Sequence, residues 1–146
     1  MNTKFKRDLA LGQKYEQHFA KEILKENYKF PPDGYHPQYD LEHDGKYYEV
    51  KHDGKAKITG NVYIEYACRY KPSGITLSIS DYYIVYIPTD TEYKIYQIPT
   101  EDLRNLIKQK KYFRTNISGG DGLLSKGHLF KETTFKDYLK CVCSVC

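Results

Sequence analysis

The sequence contains no long apolar run and no apolar leader. Nowhere do its 146 residues approach the roughly 20 consecutive apolar residues that a membrane-spanning helix needs. The first residues, from Met1 to Asp8, carry charges with no apolar stretch behind them, which is not typical of a secretory signal. We therefore expect an intracellular protein without a membrane segment.

The chain also lacks internal repeats, low-complexity linkers and a strong charge imbalance. Its length is that of one ordinary domain, which predicts a single domain over residues 1–146. Hydrophobic residues make up 40% and charged residues 29%, as is typical of a folded globular protein. A net charge of +4 permits a polyanionic partner without requiring one, so charge alone assigns no function.

Cysteine is scarce, and three of the four cysteines are crowded into the last six residues. Cys141, Cys143 and Cys146 could hold zinc only if a fourth ligand, Cys68 or His128, completed a tetrahedron. Terminal residues are usually poorly ordered, which favours a reduced and frayed tail. We therefore assign no metal to the cysteines.

The first periodic segment, residues 4–25, predicts a helix with one buried apolar stripe. The residues of this stripe recur at helical steps: Phe5, Leu9, Gly12, Phe19 and Ile23. Glu16 falls on the same side of the helix. A carboxylate that faces a core is tolerated when a cation, a metal or hydrogen-bond donors compensate its charge, so Glu16 is a candidate for chemistry. The alternative is a glutamate at the edge of the stripe that reaches solvent.

Two strands joined by a tight turn follow a first turn at residues 31–34. Strands are predicted at residues 39–43 and 46–52, and Asp44-Gly45 between them is a preferred pair for a two-residue type I′ turn. That turn fixes the register and places Asp40 opposite Glu49. Lys51, two residues further on, projects from the same face as Glu49. The hairpin therefore gathers two carboxylates and one ammonium group.

The rest of the pattern predicts further strands and helices. Strands are expected at residues 61–67, 82–87 and 93–98, a helix with a Thr100 cap at 100–110, a loop at 118–122 and a short helix at 133–141. This order predicts an α+β (mixed α/β) fold, with a central mixed sheet of four to five strands flanked by helices.

The paired acids of the hairpin predict a divalent metal. Adjacent carboxylates repel each other unless a cation lies between them, and their oxygens are hard ligands that suit Mg²⁺ or Mn²⁺. Mg²⁺ is generally held by one or two carboxylates and a substrate phosphate, so a site this sparse suits a phosphodiester substrate. Lys51 would orient the attacking water and stabilise negative charge in the transition state. The alternative is an ordinary solvated hairpin face, since such faces are normally charged.

The order of these residues resembles the PD-(D/E)XK nuclease superfamily. Asp40, eight residues, and then Glu49-Val50-Lys51, all after a helix that bears Glu16, carry this resemblance. It implies a restriction-endonuclease-like core in which Asp40, Glu49 and the Val50 carbonyl hold the metal. It also implies that Lys51 completes the site and that Glu16 contributes to it from the helix.

The residues after the hairpin are similar to small phage and viral endonucleases of this superfamily, of the Holliday-junction-resolvase kind. The likeness lies in Thr59-Gly60-Asn61-Val62-Tyr63-Ile64-Glu65-Tyr66, Lys71-Pro72-Ser73-Gly74-Ile75 and Ser80-Asp81-Tyr82-Tyr83, and it covers about residues 12–87 in all. It implies that Glu65 and Ser73 lie beside the site and that the protein has a phage or viral origin. The sequence departs from the family motif at Tyr39, where the motif has proline.

A basic run at the end of the predicted 100–110 helix is a candidate for contact with DNA. Lys108, Lys111 and Arg114 belong to a run that also contains two aromatic residues, Tyr112 and Phe113, and could bind phosphates beside a stacked base. Basic residues at a helix end also simply complement the helix dipole.

Together, these features predict an endonuclease that hydrolyses DNA phosphodiester bonds with Mg²⁺ or Mn²⁺. DNA is the expected partner, and a homodimer is an option because symmetric targets often call for two sites. Two alternatives stay open. One is a catalytically inactive nucleic-acid-binding protein of the same fold, and the other is a protein-interaction module.

Overall fold

The computed structural model describes residues 3–32, 38–118 and 124–145 of the chain. The predicted turn at 31–34 and loop at 118–122 lie largely outside these ranges, as does Cys146. The helices are α1 Thr3–His18, α2 Ala56–Thr59 and α3 Thr100–Lys108, with a π-helical turn at Phe19–Leu24 and 3₁₀ helices at Gly74–Thr76 and Glu132–Tyr138. The strands are β1 Tyr28–Lys29, β2 Leu41–His43, β3 Lys46–His52, β4 Asn61–Cys68, β5 Lys71–Pro72, β6 Tyr82–Pro88, β7 Glu92–Pro99, β8 Arg114–Ser118, β9 Ser125–Lys131 and β10 Leu139–Ser144.

Two β-sheets organise these elements. The larger has six strands in the order β1-β2-β3-β6-β7-β10, in which β3 and β6 are parallel and the other neighbours are antiparallel. The smaller has four antiparallel strands in the order β5-β4-β9-β8. The predicted α+β class and mixed sheet are confirmed. The predicted count of four to five strands in the central sheet is too low, because β1 and β10 extend its two edges.

The central strand β6 separates two hydrophobic clusters. Tyr83, Val85 and Ile87 pack into a cluster shared with the smaller sheet and α3. Ile84 and Tyr86 point the other way, into a cluster shared with the end of α1 and the π-helical turn. Both faces of β6 are therefore covered, as is usual for a strand with a parallel neighbour inside a mixed sheet.

The hairpin of β2 and β3 has the predicted register. Leu41 pairs with Tyr48, and the turn residues Asp44 and Gly45 have positive φ values of 49° and 79°, as a type I′ turn requires. The first strand is shorter than predicted and begins at Leu41 instead of residue 39. It starts late because the Val50 N–H donates to the Asp40 side chain and not to a backbone carbonyl.

The first helix differs from its prediction in shape and in burial. It is α-helical only to His18 and then widens into the π-helical turn, where the Lys25 N–H donates to the carbonyl of Ala20, five residues earlier. Phe19 is fully buried, but Leu9 is 51% exposed, so the predicted stripe is wrong at Leu9. The side chain of Phe5 is outside those that the structure describes. The buried residues lie at the end of α1 and in the π-helical turn, so only this part of the segment covers the sheet.

The C-terminal part of the chain was mispredicted. The expected helix at 133–141 is a 3₁₀ helix followed by β10, which pairs with the edge of β7. Cys141 and Cys143 are half-buried in β10, between exposed residues, and are free thiols with Sγ atoms 3.7 Å apart. Up to Ser144 the tail is therefore a strand and is not frayed, because β7 offers it a row of backbone partners.

Helix α3 is confirmed, but its predicted cap is not. Pro99 is at the N-cap position, and the Thr100 hydroxyl bonds the Ser80 hydroxyl at 3.1 Å. Within the described ranges, every helix is too short or too polar to traverse a bilayer.

Candidate active site

Asp40 is fixed at the point where the hairpin strands separate. Its N–H donates to the Tyr48 carbonyl at 2.9 Å, and its Oδ2 accepts the Val50 N–H at 2.8 Å. These two bonds tie the carboxylate to the backbone of β3. The turn chemistry of the hairpin therefore determines where this acid lies.

Glu49 is a buried acid on the neighbouring strand. It is 4% exposed, and burial, together with the adjacent Asp40 carboxyl, raises its pKa from 4.5 to about 8 against the opposing effect of Lys51. A hydrogen bond between the Asp40 and Glu49 carboxyl groups is part of this effect. Ionising both of two touching carboxyl groups costs much free energy when they are buried. Without a bound metal, the pair therefore retains one proton near neutral pH.

Lys51 supplies the positive charge of the site. Its Nζ lies 3.5 Å from the Glu49 Oε2, and 46% of its side chain is exposed to solvent. Desolvation lowers the pKa of Lys51, but attraction to Glu49, Tyr83, Asp40 and Glu65 outweighs that effect and raises the pKa above its ordinary value. The ammonium group is therefore charged at neutral pH and lies among the carboxyl groups of Glu49, Asp40 and Glu65.

Glu16 reaches this group of charges from α1. Burial and the nearby Asp40 raise its pKa from 4.5 to about 7, and Lys51 partly opposes that rise. Since these electrostatic effects need proximity, Glu16 belongs with the hairpin acids and is not an isolated glutamate at the edge of the stripe. Its half-buried position comes from the covered end of the helix.

Glu65 approaches from β4 in the smaller sheet. Its Oε2 accepts the Ser73 hydroxyl at 2.9 Å, and its charge acts on both Lys51 and Tyr83. Gly74 makes this approach possible, because a Cβ at that position would lie 2.3 Å from the Glu65 carbonyl oxygen. The two residues that the family resemblance placed beside the site are therefore close to the hairpin charges.

Two side chains at this site were not predicted from the sequence. Ser78 is buried, and its hydroxyl lies 3.4 Å from Glu49 Oε1 and 2.6 Å from the Ser80 hydroxyl, which in turn bonds Thr100. Tyr83 is directly opposite Glu49 in the parallel register, and burial raises its pKa. Neither carries a local signal, because Tyr83 reaches the site through the pairing of β3 with β6 and Ser78 reaches it from the segment before β6.

The basic residues predicted to bind substrate lie elsewhere. Lys108 ends α3, Lys111 follows it and Arg114 begins β8. All three are exposed, and none forms an ion pair within the described part of the chain. The structure does not join them to the acid cluster, and their role stays a prediction.

The donor set at the hairpin suits a hard divalent cation. Among the described residues, no group of three or more His, Cys, Asp or Glu side chains has a metal-binding arrangement. The available set is the Asp40 and Glu49 carboxylates and the β3 backbone at Val50, which is as sparse as a Mg²⁺ site completed by water and a substrate phosphate. Because the acid pair retains a proton, replacement of that proton by a divalent cation would be electrostatically favourable at this position.

Comparison with known proteins adds no relative to this description. No protein-family model, no curated protein and no solved structure matches the chain. The functional assignment therefore depends on the geometry of the site and on the order of its residues.

Proposed function

We propose that this protein is a Mg²⁺- or Mn²⁺-dependent endonuclease that hydrolyses phosphodiester bonds in DNA. The observation that carries the proposal is the buried Glu49, in contact with both Asp40 and the Lys51 ammonium. A buried acid held beside a second acid destabilises a fold, and such arrangements persist where they serve a function. Membership of the PD-(D/E)XK superfamily, with a restriction-endonuclease-like core, is part of the same proposal and is supported by the order of the motif residues.

Each side chain has a distinct task in the proposed reaction. Asp40 and Glu49 hold the divalent ion, with the Val50 carbonyl as a third ligand. The ion, when bound, supplies Lewis acidity and a water of lowered pKa. Lys51 is charged at neutral pH, so it binds a non-bridging oxygen of the phosphate and stabilises the negative charge that develops there.

The two outer glutamates assist from neighbouring elements. Glu16, with a pKa of about 7 in the metal-free protein, is suited to accept a proton from the attacking water near neutral pH. Glu65, held by Ser73, keeps Lys51 oriented toward the site. DNA is the proposed partner, and a homodimer and a phage or viral origin stay predictions.

The test is cleavage of DNA by purified protein and its lysine variants. Linear, nicked, branched and single-stranded DNA are incubated with Mg²⁺, with Mn²⁺ or with EDTA. The wild type should cut at least one of these substrates only when a metal is present. The cleavage rate of Lys51→Ala should be lower than that of the wild type by about 100-fold or more, which is the effect of removing one hydrogen-bond donor from a transition-state oxyanion. The variant should still bind DNA. Lys46→Ala is the matched control, because Lys46 is an exposed lysine at the far end of the same hairpin.

The alternatives give different results in the same experiment. DNA retention that is insensitive to EDTA, with no cutting at any metal concentration, would identify an inactive nucleic-acid-binding protein. No affinity for DNA at low salt, together with a stable cross-linked partner, would identify a protein-interaction module. Full cleavage by Lys51→Ala would remove this lysine from the site.

A further inference from the structure

A concave site is formed partly by residues that neighbour the acid cluster in sequence. It is a pocket of about 290 Å³ lined by Tyr66, Ile75, Thr76, Arg104, Ile107 and His128. This volume is near the lower end of the range for small-ligand sites, and the lining combines flat rings, two aliphatic side chains and one guanidinium. Such a lining suits a flat aromatic ligand with polar edges.

The rings of the pocket belong to an aromatic stack. The His128 ring lies 4.7 Å from that of Tyr66 and 4.6 Å from that of Tyr112, with an interplanar angle of only 14° to Tyr112. The Nδ1 of His128 bonds the Thr115 hydroxyl at 2.7 Å, which fixes the ring. Burial lowers the pKa of His128, so the ring is neutral at pH 7. The stack is therefore an ordered platform of uncharged rings.

Arg104 places a fixed cation at the same pocket. Its Nη2 donates to the backbone carbonyls of Ile75 and Ser78, and both bonds hold the guanidinium against the segment before β6. A guanidinium has five N–H donors. The remaining donors have no other protein partner within the described ranges, so they can bind the polar edge of a ligand or a phosphate.

Part of the basic run predicted to bind DNA lies next in sequence to residues of this pocket. Lys108 follows the lining residue Ile107, and Lys111 precedes Tyr112 of the stack. Arg114 pairs with Leu129 and so lies on the opposite face of the sheet from His128, which leaves Lys108 and Lys111 as the cations next to residues of the pocket and the stack. Aromatic rings flanked by exposed cations are the arrangement by which proteins bind single-stranded nucleic acid, with bases on the rings and phosphates on the cations.

The pocket and the acid cluster share one stretch of chain. Ser73 bonds Glu65 and Ser78 contacts Glu49, while Ile75 between them lines the pocket. On the opposite side, Tyr66 is the extra residue of a β-bulge in β4, directly after Glu65. Bulges re-aim side chains, and this one gives adjacent residues to the two sites.

We propose that the pocket lined by Tyr66, Arg104 and His128 binds an unpaired base of a DNA strand whose backbone passes the acid cluster. The inference rests on the proposed function, since it names the form of DNA that the nuclease engages. Bases of a continuous duplex are stacked inside it and cannot enter a pocket of this kind. The preferred substrate therefore contains a single-stranded segment, at an end, a flap or a branch.

Binding without metal tests this proposal separately from cleavage. Fluorescence anisotropy in EDTA measures the affinity for labelled oligothymidine, for an oligomer of the same length made of abasic sites, and for a duplex. The wild type should bind oligothymidine more tightly than the abasic oligomer. Tyr66→Leu keeps the apolar contact but removes the ring, and it should weaken oligothymidine binding about tenfold, within the roughly 5- to 150-fold that base stacking contributes. It should leave abasic binding within about twofold of the wild type, because abasic sites have no ring to stack.

The controls separate a lost ring from a damaged fold. Tyr66→Phe should restore affinity, and Tyr70→Ala, which removes a fully exposed tyrosine four residues away, should match the wild type. His128→Leu removes the ring that lies against Tyr66 and is the second variant should Tyr66→Leu fail to fold. Unchanged oligothymidine affinity in the pocket variants, or equal losses for oligothymidine and the abasic oligomer, would overturn the proposal. Loss of cleavage with intact, base-dependent binding would instead overturn the proposed catalysis alone.

Discussion

Replacing Glu49 by glutamine should change how the stability of the metal-free protein depends on pH. The unfolded chain has an ordinary glutamate, whereas the folded chain holds Glu49 with a pKa of about 8. Below pH 4.5 the carboxyl is protonated in both states and carries no penalty. As the pH rises, the unfolded chain releases its proton first, and the folded state loses stability until the pH passes about 8.

The size of the effect follows from the two pKa values. The difference between 4.5 and about 8, at 1.36 kcal/mol per pKa unit, corresponds to about 5 kcal/mol above pH 8 and about 3 kcal/mol at pH 7. No allowance for solvent screening is needed, because the side chain is almost fully buried. Glu49→Gln removes the ionisation and keeps the shape, so the variant should lack this part of the pH dependence.

Urea unfolding at pH 5, 7 and 9 in EDTA measures the effect. Between pH 5 and pH 9, the free energy of unfolding should fall by about 4 kcal/mol more for the wild type than for Glu49→Gln. Glu92→Gln, which changes an exposed acid on β7, is the control and should follow the wild type. Adding Mg²⁺ should restore stability to the wild type at high pH and leave the variant unaffected, because only the wild type retains both acids.

Parallel pH profiles for the wild type and Glu49→Gln would refute this reasoning. They would mean that Glu49 ionises as easily in the folded protein as in the unfolded chain. In that case it would not be the buried partner of Asp40.

Two further predictions concern the residues that support the site. Gly74→Ala should destabilise the protein by roughly 2 kcal/mol or more, because the residue has a φ of 52° and a Cβ would meet the Glu65 carbonyl. Gly54→Ala, where a Cβ has open space, is the control in the same urea assay, and equal effects of the two changes would contradict the packing argument. Ser78→Ala should cost about 1–3 kcal/mol, because it leaves the Ser80 hydroxyl and the Gln38 carbonyl without this partner. Thr91→Ala, at an exposed turn, should cost much less, and a neutral Ser78→Ala would show that the buried hydroxyls do not act together.

The hairpin was predictable because its information is local. Asp44-Gly45 specifies one turn type, that turn specifies one register, and the register brings Asp40 and Glu49 together. The position of Glu16 on its helix was predicted by the same kind of short-range periodicity. The exposure of Leu9 was not, because a sequence does not reveal how far along a helix the sheet beneath it extends.

The parts that were missed depend on pairing between distant segments. Strands β4 and β9 join residues that lie from 57 positions apart, as in Cys68 with Ser125, to 70 positions apart, as in Asn61 with Lys131. No local pattern marked β9 as a strand or placed it beside β4. Tyr83 comes to Glu49 through the parallel pairing of β3 with β6, and Ser78 reaches Glu49 from the segment before β6. A serine or a tyrosine in isolation has no motif. The pocket lined by Tyr66 is formed by four elements, namely β4, the 3₁₀ helix Gly74–Thr76, α3 and β9, and could be recognised only in the folded chain.

Titration calorimetry with Mn²⁺ tests the central claim most directly. The wild type should bind one Mn²⁺ per chain and release a proton from the acid pair as it does so. Asp40→Asn should weaken that binding at least about tenfold, as loss of one of two charged ligands would. Asp44→Asn, a change that a type I′ turn tolerates on the same hairpin, should bind like the wild type. A wild type that takes up no Mn²⁺, or an Asp40→Asn variant that binds it equally well, would contradict the account.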